Sequence, residues 1–188
     1  MRVFIVRPDT DHFQWFQTEQ GDLSNTGAAG GQLDCTRRAA TWIAPKVYIP
    51  HPELKQGDFS DLNRTGQLVL STELRCRVAA EGFFLDAGEL LPLEHQGKQY
   101  TLLNVVSAIN CLKHQECQWS ARSDTGTAVP VNLVFYPDRF QYSSIFKIPE
   151  LRTVNLVLER DGDPENEFKA AYELSDLTGL KFELLWEG

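Results

Sequence analysis

The sequence predicts an α+β fold, a largely antiparallel sheet with a few short helices. Apolar and polar residues alternate through 131–136, 154–159 and 180–187, the period of half-buried strands. Helix starts are written as capping chemistry at Ser71 and at Asp163-Pro164. Strands and helices then mix without a regular βα alternation and without an internal repeat, which argues against a parallel doubly wound sheet.

Residues 2–6 (RVFIV) are β-branched and aromatic and predict a short first strand. Residues 17–34 are polar and glycine-rich, with the run Asn25-Thr-Gly-Ala-Ala-Gly-Gly31, and predict a loop. Residues 41–50 carry two prolines, which confine any strand there to an edge. A more regular body starts near Gln67. Leu68-Val-Leu70 reads as a strand. Ser71 is placed to cap a helix, with Glu73 in its first turn, Leu74 and Val78 on one face, and Gly82 as the left-handed stop. Residues 89–93 and 100–106 predict a hairpin around Gln96-Gly97, with a connection longer than the tightest type. Residues 107–114 predict a short helix. Val131, Leu133 and Phe135 form one strand face, and Val154, Leu156 and Leu158 another. After Asp163-Pro164, Phe168, Ala171 and Tyr172 share a helical face that ends near Gly179. Leu180, Phe182, Leu184 and Trp186 alternate with Lys181, Glu183, Leu185 and Glu187 in a last strand.

The chain has 188 residues, enough for one good core, read as a single unit of 1–188 with a looser part over 1–66 and a regular body over 67–188. Eleven Phe, five Tyr and four Trp are too many anchors for a disordered chain. The net charge is −8, which disfavours a protein that grips phosphates and favours a basic partner. From Glu150 to Gly188 ten acidic residues stand against four basic ones, so −6 of that charge lies in the last fifth. A signal peptide or a membrane helix needs a longer apolar run than any present. Four Cys (35, 76, 111, 117) are too sparse for a disulfide framework, so the expectation is a cytoplasmic protein with reduced thiols.

The search for chemistry finds no phosphate loop, no G-x-S-x-G elbow and no H-E-x-x-H helix. Cys111-x-x-His114-x-x-Cys117 offers three soft ligands, with Cys35, Cys76 or His95 available as a fourth, but the spacing is not that of paired zinc knuckles. Buried cysteines acting as small apolar fillers are the simpler reading. Asp9-x-Asp11-His12 reads as a hard-metal or acid/base cluster, or else as a solvated turn. Arg37-Arg38 before Trp42 is the nearest thing to a basic aromatic patch. Glu159, Asp161, Asp163, Glu165 and Glu167 form an acidic run at a strand-to-helix connection, where exposed side chains are expected, and the run lacks the pattern of a calcium loop. No cofactor is expected.

Six segments taken together carry a resemblance. They are LVLSTELRCRVAAEG (68–82), GELLPL (88–93), YTLLNVVSAINCL (100–112), VFYPDRF (134–140), IFKIPE (145–150) and LTGLKFELLWEG (177–188). In order and spacing, from about Gln67 onward, the chain resembles family eleven of the immunity proteins of bacterial polymorphic-toxin systems. One departure is visible: Asn110 and Lys113 stand where the family carries carboxylates in an Asp-x-Leu-Asp pattern. The resemblance implies a non-enzymatic protein that binds and neutralises a toxin of its own strain. Such toxins are delivered between bacteria by contact-dependent routes that include type VI secretion, and secreted nucleases of the histidine-metal finger type are the expected partners. A nuclease presents a basic surface to DNA, and the five carboxylates at 159–167 are the expected contacts with it. The competing readings are a small hydrolase or metal-binding enzyme built on Asp9, Asp11 and His12, and a general adaptor.

Overall fold

The computed structural model describes residues 1–19, 33–120, 130–140 and 143–188, and the side chains of 74–80 lie outside the description. The glycine-rich run 25–31, the shared face expected of Leu74 and Val78, and the Cys76 thiol therefore fall outside it.

Among the described residues the fold is α+β, with all four sheets antiparallel. In chain order the strands and helices are β1 (Arg2–Pro8), β2 (Gln17–Thr18), β3 (Val47–Tyr48), β4 (Phe59–Ser60), β5 (Leu68–Ser71), α1 (Leu74–Ala87), β6 (Gly88–His95) and β7 (Lys98–Val105). They continue with β8 (Gln118–Trp119), β9 (Pro130–Asn132), β10 (Ile145–Phe146), β11 (Leu156–Glu159), α2 (Phe168–Leu174) and β12 (Leu180–Glu187). One four-stranded sheet has the order β10-β11-β1-β12, and the other β4-β5-β7-β6. No helix among the described residues is long and apolar enough to cross a membrane.

The predicted first strand is central. β1 pairs with β11 on one side (Val3 with Leu158, Ile5 with Leu156) and with β12 on the other (Val6 with Phe182, Pro8 with Leu180). Both faces of this sheet are covered. Val6 and Val157 enter a cluster that includes Phe59, Leu68, Phe84, Leu103, Phe168 and Tyr172, drawn from both large sheets and both helices. Phe59 is its hub, with ring centroids 6.0 Å from Phe84, 6.0 Å from Phe168 and 5.8 Å from Tyr172. Val3, Leu156 and Leu158 enter a second cluster with Cys111, Cys117, Leu133, Phe135, Phe146 and Ile148. A third, containing Phe16, Leu62, Val69, Leu91 and Leu102, packs on the other large sheet.

Several expectations are corrected. Val154–Glu159 does not alternate, because every residue from Leu156 to Glu159 is buried when a sheet is covered on both faces. Ser71 is the last residue of β5, not a cap; Glu73 precedes α1, with no side-chain capping bond. Gly82 lies inside α1, which runs on to Ala87. The β6–β7 hairpin is longer than predicted and its turn shorter: Glu94 pairs with Gln99 and His95 with Lys98 across Gln96-Gly97. Both turn residues have positive φ, 53° and 78°, as a two-residue hairpin turn of the primed type requires. No helix forms over 107–114; Ala108 and Leu112 instead make isolated bridges to Lys147 and Phe135. Gln17–Thr18, expected within a loop, pairs with Val47–Tyr48.

The last strand keeps its place but changes its phase. Val3 pairs with Trp186 and Phe4 with Leu184, so Leu185 is an extra residue, a β-bulge. Leu185 and Trp186 then pack on the second cluster, while Leu184 is left 52% exposed. Pro164 does not open α2. Residues 164–166 form a turn and the helix starts at Phe168. Phe168, Ala171 and Tyr172 are its buried residues, as the spacing predicted.

Candidate functional site

The acidic run lies between β11 and α2, and its five carboxylates divide into two kinds. Glu159 ends β11, 5% exposed, with Oε2 2.6 Å from Arg2 Nη2 and Oε1 3.4 Å from Lys169 Nζ. Glu167 is 2% exposed and turns back over the connection. Its Oε1 accepts the amides of Arg160 (2.8 Å) and Asp161 (2.9 Å), and its Oε2 accepts that of Gly162 (2.9 Å). Three N–H groups converging on one carboxylate are charge-assisted bonds, stronger than neutral ones. The expectation that all five side chains are exposed is therefore corrected for Glu159 and Glu167, which serve the interior.

Asp161 and Glu165 are exposed and Asp163 is half-buried. Asp163 shapes the turn from within, accepting the Glu165 amide at 3.0 Å and Asn166 Nδ2 at 2.6 Å. The Asn166 side chain and then the Glu165 amide hold its carboxyl below the usual carboxylate range. The Phe168 amide is taken by Ser144 Oγ at 3.2 Å, which docks the end of the turn on the core. The turn is thus fixed at its base by Glu167 and presents Asp161 and Glu165 outward. The register sets its position: Arg2 lies opposite Glu159 on one side and Glu187 on the other, so the turn leaves the same end of the sheet as the exposed Glu187.

Asp9, Asp11 and His12 do come together, as part of an ion network. Lys181 Nζ lies 2.8 Å from Asp9 and 2.9 Å from Asp11, His12 Nδ1 lies 2.9 Å from Asp9, and Arg64 is 3.8 Å from Asp11. Burial acts to raise the Asp9 carboxyl, but Lys181 and His12 outweigh it and leave it below its ordinary value. The Lys181 hydrogen bond lowers Asp11 in the same way. The carboxylates of this cluster are thus already engaged by cations of the chain.

Cys111, His114 and Cys117 are not gathered on one point. Cys111 is fully buried and donates to the Ile109 carbonyl, and burial pushes its thiol up to about 12. Cys117 Sγ accepts the Val134 amide at 3.3 Å. His114 is exposed, stacked on Trp119 and 2.9 Å from Glu150. His95 is elsewhere, against the Val47 carbonyl. Among the described residues no three His, Cys, Asp or Glu side chains are grouped to hold a metal ion. Arg38 turns inward, its side chain 17% exposed, while the Arg37 side chain stays exposed. Glu89 accepts the Arg38 amide at 2.7 Å and lies 3.5 Å from the Arg37 guanidinium, while Trp42 Nε1 donates to the Pro92 carbonyl.

Sequence reasoning missed two buried ionisable groups. Asp61 accepts the amides of Thr65 (3.0 Å) and Gly66 (2.9 Å), and burial raises its carboxyl to about 7 in spite of them. Lys147 is 3% exposed and donates to the Leu33 carbonyl at 2.6 Å; burial holds its ammonium below the usual lysine range. The sequence carries no signal for either, since both partners are backbone groups. No family model and no curated protein matches this chain.

Proposed function

We propose that this protein is an immunity protein: it binds a cognate antibacterial toxin, a secreted nuclease, and neutralises it by stoichiometric contact rather than by catalysis. The six quoted segments support the assignment, and the net charge of −8 suits a basic partner. The observation that carries the docking surface is the Glu167 carboxylate, which holds three successive amides and so fixes the turn that presents Asp161 and Glu165. A rigid acidic turn loses little conformational entropy on binding, and its field steers a basic partner toward it. Of the five carboxylates, Asp161, Asp163 and Glu165 are the contacts in this reading, and Glu159 and Glu167 are their supports. The protein acts in the cytoplasm, where Cys35, Cys111 and Cys117, all free thiols, stay reduced.

The test is co-expression with the product of the adjacent gene. That product should arrest growth when expressed alone, and this chain should restore growth through a complex that survives purification. An adjacent product that is harmless, or arrest without rescue, removes the immunity reading. Turnover of a substrate by the purified chain alone would return the hydrolase reading built on Asp9, Asp11 and His12.

A further inference from the structure

In a chain with a net charge of −8, one cleft gathers cations. It has a volume of about 190 Å³ and lies where the end of β1 meets the turn before β5 and the segment before β11. Arg7 and Arg64 are its charged lining residues, with Thr65, Gly66, Thr153 and Asn155 between them. Thr65, Thr153 and Asn155 also line a smaller inner cavity of about 10 Å³, whose floor is the buried Lys147. That inner space is of one-water size, since roughly 10–15 Å³ holds a water.

Charge in this region is poorly compensated among the described residues. Arg7 has no ion pair there, and Arg64 reaches Asp11 only at 3.8 Å while lying over the Trp15 ring. Lys147 has a carbonyl as its hydrogen-bonded partner rather than a carboxylate, and Asp34 and the Cys35 thiol are the acidic groups that influence it. A second, independent observation comes from Asn155, which is 4% exposed. Its Nδ2 donates to the Gly66 carbonyl at 3.0 Å, which fixes the amide orientation, because the reverse would set two oxygens together. Its Oδ1 is then a buried acceptor with no donor among the described residues. Such an atom is costly to leave unmet.

We propose that this cleft is a binding site for a phosphate group, held between Arg7 and Arg64. A hydrogen phosphate combines the negative charge that two guanidinium groups select with the O–H donor that Asn155 lacks. The site lies at the far end of β1 from Arg2 and the acidic turn, so it stands or falls separately from the toxin-binding reading.

The experiment is a two-dimensional amide NMR titration of the full chain with inorganic phosphate at constant ionic strength, repeated with glycerol phosphate and with acetate. Saturating shifts confined to the amides of Arg64, Thr65, Gly66, Thr153, Val154 and Asn155 are expected, and Arg7→Gln and Arg64→Gln should each weaken binding about tenfold. Both arginines are exposed, so an unchanged spectrum elsewhere certifies the fold of each variant. Tighter binding of glycerol phosphate than of inorganic phosphate identifies a phosphate ester as the ligand, and the reverse identifies free phosphate. Shifts that do not saturate, that survive both substitutions, or that acetate reproduces equally well overturn the proposal.

Discussion

The Phe59 carbonyl oxygen lies 2.2 Å from where a Cβ on Gly179 would stand, and Gly179 has φ of +99°. Phe59 is the hub of the aromatic cluster, and its amide donates to the Thr178 carbonyl at 3.1 Å. The entry into β12 is thus pressed against the start of β4. Gly179→Ala is expected to lower stability by about 2–4 kcal/mol, from the positive φ and the contact with backbone together. Urea denaturation of the variant measures it, and a loss below about 0.5 kcal/mol would show that the backbone here gives way easily.

The opposite sign is expected at the β6–β7 turn. Gln96 occupies a left-handed position at φ of 53°, beside Gly97 at 78°. Asparagine accepts that conformation more readily. Gln96→Asn should raise stability by about 0.5–1 kcal/mol, read from the same denaturation curves.

Asp61 makes stability depend on pH. Its carboxyl is raised from 3.8 to about 7 by burial, so the folded chain holds this proton over a range where the unfolded chain has lost it. Its contribution is fully present below pH 4, falls as pH rises toward about 7, and is flat above that. Asp61→Asn should remove this fall. Stability of the two proteins measured from pH 4 to pH 8 should therefore agree best at the acid end, where Asp61 is neutral, and diverge most toward pH 8, where the variant is the more stable; parallel curves would contradict the assignment.

The Glu167 clamp gives a paired prediction. Glu167→Gln turns one acceptor into an NH₂ group facing a backbone amide, and should cost about 2–3 kcal/mol. Hydrogen exchange should quicken at the amides of Arg160, Asp161 and Gly162, which this carboxylate now holds.

Toxin association should respond to the exposed carboxylates and not to the buried ones. Asp161→Lys with Glu165→Lys is expected to slow association about tenfold or more at low salt, with the difference shrinking as salt is added. Glu159→Gln should leave the association rate unchanged, because Arg2 and Lys169 already surround that carboxylate. Stopped-flow mixing at two ionic strengths separates the two cases.

The sequence made the periodic elements legible and hid the interior contacts of polar residues. Leu180 and Phe182 show the last strand by alternation alone. The extra residue Leu185, which exposes Leu184, is invisible there because all three candidates at 184–186 are apolar. Phe168, Ala171 and Tyr172 mark α2 by spacing. Its late start reflects Asp163 folding its own turn first, a local competition that a cap-plus-proline pattern does not resolve. The acidic run was visible as charge, but its division was not. Whether a glutamate is a contact or a support depends on what lies over it, and Arg2 reaches Glu159 from the far side of the sequence. Asp61 and Lys147 were silent because their partners are main-chain atoms, which every sequence has everywhere.

The place of β1 also governs when the protein can exist at all. Its two neighbours, Leu156–Glu159 and Leu180–Glu187, leave the ribosome only after residues 9–155 have been made, so Arg2–Pro8 waits through all of that synthesis for both its partners. Until they emerge, Val3, Phe4 and Val6 have no sheet to join. Pairings between such distant segments are slow to form, and the nascent chain carries an unmatched apolar strand meanwhile. Chaperone dependence during synthesis, rather than fragility once folded, is the vulnerability this topology builds in.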